Sequence, residues 1–433
     1  MRTNRWRAPL FKAIAPFIFA AAALFSPMPS IAAEASVRDL VIMAREKNPE
    51  LKALSERARA ARSRARAEGA LDDPTLKVEL EDLSTDDPLS ISPSSAMLTR
   101  YTVSQMFPFP GKRSLKRRMA EKEALSMDSE LKAKALEIET GVKEAYYEVA
   151  FLKESIQRTA EIKELLSYMA KVAETRYATG QVSQQDVIKV NVETTMLSND
   201  LITMEAEKAI AVSRLKSLIG LDQSDEVAEP SALPKGRVEF STDGLIRRAV
   251  QENPEVRMVE YEAEANELGV DLARKDYWPD LMVGVAPIQR DGAFDNYDLM
   301  FQINLPIWRS KYDARHEEAS ANASALRARA ASMKNMKAFE VKEAALMVEA
   351  ADRMRTLFET SLVPQVELAF ESALKNYQTG KIDFLALLDT ERDLKRTRIE
   401  YFKSLLEYNK RVSLLEKASG EDLRAGRILP EAR

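Results

Sequence analysis

Cysteine is absent from the 433 residues and histidine occurs once, as His316. Disulfides, thiol nucleophiles and Cys-His metal clusters are therefore excluded. Glycine is scarce, 13 in all, and Ala, Leu, Glu, Lys and Arg dominate, the composition of long helices. Long apolar runs are missing beyond the first residues, so any passage through a bilayer falls to strands. A strong charge of either sign is missing too. The net charge of −4 is spread along the chain, which gives no basis for nucleic-acid binding. No Ser-His-Asp arrangement or phosphate loop is visible, and no catalytic set or cofactor is expected. His316 stands beside Glu317 and Glu318 but lacks the spacing of the helical His-Glu-x-x-His pair, so it reads as a solvated residue near a helix start.

Residues 1–33 have the layout of a secretory signal. Arg2, Arg5, Arg7 and Lys12 lead into an apolar run from Ala13 to Phe25, followed by the small-residue site Ser-Ile-Ala-Ala at 30–33. The run is short of the roughly 20 residues that a membrane helix needs. With no Cys near the cleavage site, a lipoprotein anchor is excluded.

The remainder is written twice. Asn48-Pro49-Glu50 returns as Asn253-Pro254-Glu255, and an offset of 205 also carries Leu40 onto Leu245 and Pro74 onto Pro279. Tyr177-Ala-Thr-Gly180-Gln181 returns as Tyr377-Gln-Thr-Gly380-Lys381, and each Gly is followed forty residues later by another, Gly220 and Gly420. Gly accepts the left-handed conformation in which helices commonly end. These turns therefore separate long helical runs, 112–219 as one hairpin and 312–419 as the other, the second bent or broken near Pro364.

Between the Asn-Pro-Glu openings and the hairpins the period changes from 3.6 to two. Leu76, Val78 and Leu80 alternate with Lys77, Glu79 and Glu81, which predicts a strand over about 74–86 paired with 97–107. In the second half, 279–290 is followed by a turn at Asp291-Gly292. Tyr297, Leu299, Phe301, Ile303 and Leu305 then alternate with polar residues over 297–306. Each strand has about the length that spans an outer membrane when tilted. The predicted organisation is thus a signal at 1–33, a first repeat at 34–220, a connector at 221–243, a second repeat at 244–420 and a polar tail at 421–433. Four strands cannot close a barrel, which takes about eight, and an open edge is not tolerated in lipid. Three copies would bring twelve.

The doubled Asn-Pro-Glu openings, Ser104-Gln105 leading into Pro108-Phe109-Pro110-Gly111-Lys112-Arg113, the Tyr-x-x-Gly turns and the closing Leu215…Gly220 and Leu415…Gly420 resemble the TolC family of outer-membrane efflux ducts along nearly the whole mature chain. The Pro-Gly-Lys-Arg segment is most similar to members serving heavy-metal resistance (cobalt-zinc-cadmium or copper-silver). The resemblance implies a mostly α fold with a small β part. It further implies a homotrimer whose twelve-strand barrel, in the outer membrane of a Gram-negative cell, continues as a helical barrel across the periplasm. The implied partners are a periplasmic adaptor and an inner-membrane pump of the resistance–nodulation–division type, and the implied task is export. A drug-efflux duct, a type I protein-secretion duct and a poreless periplasmic coiled-coil scaffold are the alternatives.

The family's acidic constriction maps onto Asp389. Its second acid falls on Ala386, so one ring is missing. Its gate link maps onto Tyr377 and Asp186, and the Arg that assists the link falls on Ile382. Thr179, Gly180 and Gln181, with Thr379, Gly380 and Lys381, are the candidate adaptor-docking turns, since loop tips on rigid supports make good recognition sites.

Overall fold

A computed structural model describes residues 36–83, 92–93, 96–180, 182–290 and 292–424. The signal segment, Gln181, Asp291 and the end of the tail lie outside the described residues.

Each repeat opens on two helices joined at its Asn-Pro: α1 (Val37–Lys47) and α2 (Pro49–Glu68), then α5 (Thr242–Glu252) and α6 (Pro254–Lys275). Pro sits at the first position of α2 and α6, where its missing N–H costs nothing. The Asn does two jobs. The Asn48 carboxamide oxygen accepts from the Glu50 and Leu51 amides, and its Nδ2 donates to the Leu218 carbonyl at 2.8 Å. Asn253 repeats this with Glu255 and with the Ala418 carbonyl at 2.9 Å. Each repeat therefore ties its own first helices to its own last turn. Gly220 ends that turn at φ +85°, so close to its repeat's opening that an added Cβ would lie 2.9 Å from the Lys47 carbonyl; at Gly420, φ +74°, the nearest atom would be 3.9 Å away.

The strands are β1 (Thr75–Leu83), β2 (Ala96–Phe107), β3 (Leu281–Arg290) and β4 (Ala293–Ile303). They form one antiparallel sheet in the order β1-β2-β3-β4, so β1 and β4 are its edges. The register lines up a row across all four, Leu76 opposite Val103, Val103 opposite Val285, and Val285 opposite Leu299. All four side chains of that row are exposed, as are Phe301 and Ile303 along β4. The opposite face carries ion pairs, with Arg100 paired to Glu81 at 2.7 Å and to Asp298 at 3.5 Å. β4 starts at Ala293, four residues before the Tyr297 that alternation predicts. An irregularity at Ile288/Gln289 resets the pairing so that Phe294 faces Gln289 and Ala293 faces Arg290.

Strand passes to helix through Pro108–Arg113. Gly111 takes φ +97°, a conformation that a side chain disfavours. Lys112 is buried, with Nζ 3.0 Å from Asp280 and 3.2 Å from Asp276. The Phe109 amide donates to the same Asp280 at 2.7 Å, and its ring stacks on Trp278. The motif thus clasps β2 to the start of β3.

Beyond the clasp run α3 (Lys112–Ala178) and α4 (Gln184–Ile219), and in the second repeat α7 (Arg309–Leu357), α8 (Val363–Gln378) and α9 (Phe384–Ser419). A π-helical segment, Phe358–Leu362, joins α7 to α8 immediately before Pro364. Near the openings, α1, α3, α4 and α9 share a core built on Tyr146, Tyr147, Leu215 and Leu405. Near the turns a second core joins α3, α4, α8 and α9 through Leu166, Val190, Leu197, Leu387 and Leu388. This second core positions the candidate site.

Candidate functional site

The two hairpin turns are built alike. Gly180 and Gly380 adopt φ +73° and +75°, and a Cβ at either would meet nothing within 4 Å. The Thr179 hydroxyl donates to the Arg176 carbonyl at 3.0 Å, and that of Thr379 to the Asn376 carbonyl at 3.2 Å. The Gly380 and Lys381 amides donate to the Tyr377 and Asn376 carbonyls, closing the last helical turn. Thr179, Gly180, Thr379, Gly380 and Lys381 are exposed on these fixed turns. Gln181 lies outside the described residues.

The Tyr residues before the turns differ. Tyr177 is 47% exposed, whereas Tyr377 is 9% exposed, edge-on to Phe384 at 5.6 Å between ring centres. The Arg176 guanidinium lies 5.2 Å over the Tyr377 ring, a cation–π contact that joins the first hairpin to the second. Among the described residues no hydrogen bond links Tyr377 to Asp186. Asp186 is occupied instead: its carboxylate accepts from the Ser183 hydroxyl at 2.9 Å and from the Ser183 amide, while the Ser183 hydroxyl accepts from the Asp186 amide. That capping box starts α4 and engages the Oδ2 oxygen of Asp186. Arg176, which sequence reasoning missed, makes the contact between the hairpins where the family Arg position is Ile382.

Asp389 is exposed on α9, 3.5 Å from Arg392 of its own helix. Arg392 is shared. Its Nε and Nη2 both donate to Glu193 of α4, at 2.9 and 2.5 Å. Lys395 of α9 reaches Asp200 of α4 at 3.0 Å. Two ion pairs thus stitch α9 to α4.

Next to Arg392 on α9 is Glu391. It is 1% exposed, and neither carboxyl oxygen has a hydrogen-bond partner. Burial, and next the charge of Glu193, push its pKa up from 4.5 to about 7, against the opposing pull of Lys395 and Arg392. The sequence signal for this residue was present: Leu387, Glu391 and Leu394 share one helical face, so the acid sits in an apolar stripe.

His316 accepts from the Arg274 guanidinium at 3.3 Å on the surface. Among the described residues no three His, Asp or Glu side chains gather as metal ligands, and no helix is long and apolar enough to cross a membrane.

The sequence profile of the family described as outer membrane efflux protein matches twice, over residues 40–221 and 245–421. This chain belongs to that family. It is an outer membrane efflux protein, a channel component and not an enzyme. The cobalt-zinc-cadmium resistance protein CzcC of Cupriavidus metallidurans is 24% identical over 330 residues, covering 74% of this chain and 78% of that protein. Among solved structures, the outer-membrane channel OprN superposes with a TM-score of 0.77 at 16% identity, over 90% of each chain. VceC from the bacterial pathogen Vibrio cholerae does so with 0.75 at 19%, over 89% of this chain and 96% of that one. CusC gives 0.75 at 18%, over 90% and 93%. The efflux protein therefore has the mostly helical, small-sheet fold of these channels.

Proposed function

We propose that this efflux protein is the outer-membrane duct of a tripartite pump and that its cargo is heavy-metal cations. The sheet carries the reading. Among the described residues its two edges, β1 and β4, are unpaired, while one face exposes a continuous apolar row. Lipid covers such a face, and only closure removes such edges. Three copies of the four-stranded sheet supply twelve strands, above the about eight of the smallest closed barrels. In that trimer the helical hairpins continue the passage into the periplasm after residues 1–33 have directed export. The exposed turns at Thr179-Gly180-Gln181 and Thr379-Gly380-Lys381 dock a periplasmic adaptor, which connects to an inner-membrane pump. Asp389 presents a negative charge near the turn end and favours cations. The likeness to CzcC supports metal cargo.

The test is growth of a deletion strain on zinc, cobalt, cadmium, copper and silver salts beside a panel of dyes, antibiotics and detergents. Sensitivity confined to one group of metals is the expected result. Drug sensitivity with normal metal tolerance would keep the duct and replace its cargo.

A further inference from the structure

Glu391 serves none of the contacts that hold the hairpins together. A carboxyl with both oxygens buried and unpartnered is a cost that folding normally avoids. The cost is modest for a neutral acid and severe for a carboxylate. The surroundings sharpen this difference. Glu193 of α4 faces it with a like charge, while Arg392 and Lys395 of its own helix are already engaged with Glu193 and Asp200. The core that α3 and α8 share with Leu387, Leu388 and Leu394, the neighbours of Glu391 on α9, receives Leu166, Met169, Ala170, Phe370 and Ala373, none of which can solvate a charge. The seam therefore holds one acid that fits neutral and repels when ionised.

We propose that Glu391 is a proton-operated catch between the two hairpins: protonated, it lets α9 lie against α4; ionised, it drives the second hairpin off the first. The π-helical segment and Pro364 lie in the strand-proximal arm of that hairpin and supply a place for it to bend. Ionisation needs a conformation in which water reaches the carboxylate, so proton loss and seam opening are one equilibrium. The group's affinity for its proton is higher in the packed seam than in the open one. The packed state is thus favoured below the ordinary pKa of 4.5, loses ground through the interval above it, and carries the full penalty above about 7. Within that window the balance shifts by at most about tenfold per pH unit in each copy.

The inference rests on the duct reading only where it concerns current, so its test has two arms on the full-length protein. In the first, Ile188→Cys on α4 and Leu385→Cys on α9 carry spin labels. Both positions are exposed, and the chain has no other cysteine. The label separation is expected to lengthen as pH rises from 5 to 8, and to stay short throughout once Glu391→Gln is added. In the second arm, conductance in planar bilayers is followed over the same range. Open probability is expected to rise with pH in the wild type and to be flat and low in Glu391→Gln. A label separation that does not respond to pH, or one that responds equally in wild type and Glu391→Gln, overturns the catch. Pores with no pH response would refute the catch and spare the duct. An absence of pores combined with a pH-dependent separation would do the reverse.

Discussion

The two hairpins descend from one pattern and differ in the features that permit movement. In the first, α3 runs unbroken for 67 residues, its Tyr177 lies in solvent, and α4 begins with a full capping box. In the second, a π-helical segment and Pro364 interrupt the descending arm, Tyr377 is packed beneath Arg176, and α9 carries a buried, unpartnered acid. A straight arm acts as a post. An arm interrupted by a π-helical segment and Pro364 has a place to bend. Duplication supplied two equivalent hairpins, and divergence confined compliance to one of them.

The largest expected contrast lies at the twin tyrosines. Tyr377→Ala opens a void beside Phe384 and is expected to cost about 3 kcal/mol, whereas Tyr177→Ala should stay within about 0.5 kcal/mol. Thermal unfolding of the two variants measures this, and equal losses would erase the distinction between post and moving arm. Tyr377→Phe, which keeps the ring, is expected to leave stability and resting conductance unchanged. A leakier channel in that variant would restore the hydroxyl link to Asp186. A smaller contrast belongs to the two closing glycines. Both need positive φ, which costs a side chain about 1–2 kcal/mol. Gly220→Ala must in addition displace the Lys47 carbonyl, while Gly420→Ala has room. Denaturant titration should therefore rank Gly220→Ala as the more damaging. The smallest effect is expected from Asp389→Asn. The carboxylate is exposed and half-satisfied by Arg392, so cation selectivity should fall only slightly, read as a reversal potential in a salt gradient. A complete loss of selectivity would make Asp389 the dominant charge of the passage.

Much of the frame was legible because it rests on residues with few physical uses. The Pro of Asn-Pro-Glu breaks a helical run, alternation of period two marks a strand, and a Gly after a long helical run ends it. The β4 boundary was missed because a pairing irregularity leaves no mark in the alternation. The π segment was signalled only by Pro364, which shows that a helix is perturbed and not how. The site was less legible. The second role of Asp186 was legible too, since Ser183-Gln-Gln-Asp186 has the form of a capping box. Arg176 and Glu391 both depend on which helices lie side by side, and that information is tertiary. Glu391 could still have been suspected from its place in the leucine stripe.

The Asn48 and Asn253 tethers bear on how the molecule assembles. Each joins residues far apart in the chain, 170 and 165 positions. Closing so long a loop costs little more entropy than closing a short one, because the cost grows only logarithmically with length. It does delay the event, since contacts of high sequence separation form late. Helical hairpins, made of local contacts, are expected to appear first, with each tether snapping shut afterwards. Both ends of the first tether precede Leu221, so the first repeat can complete its closure while the second is still an open chain.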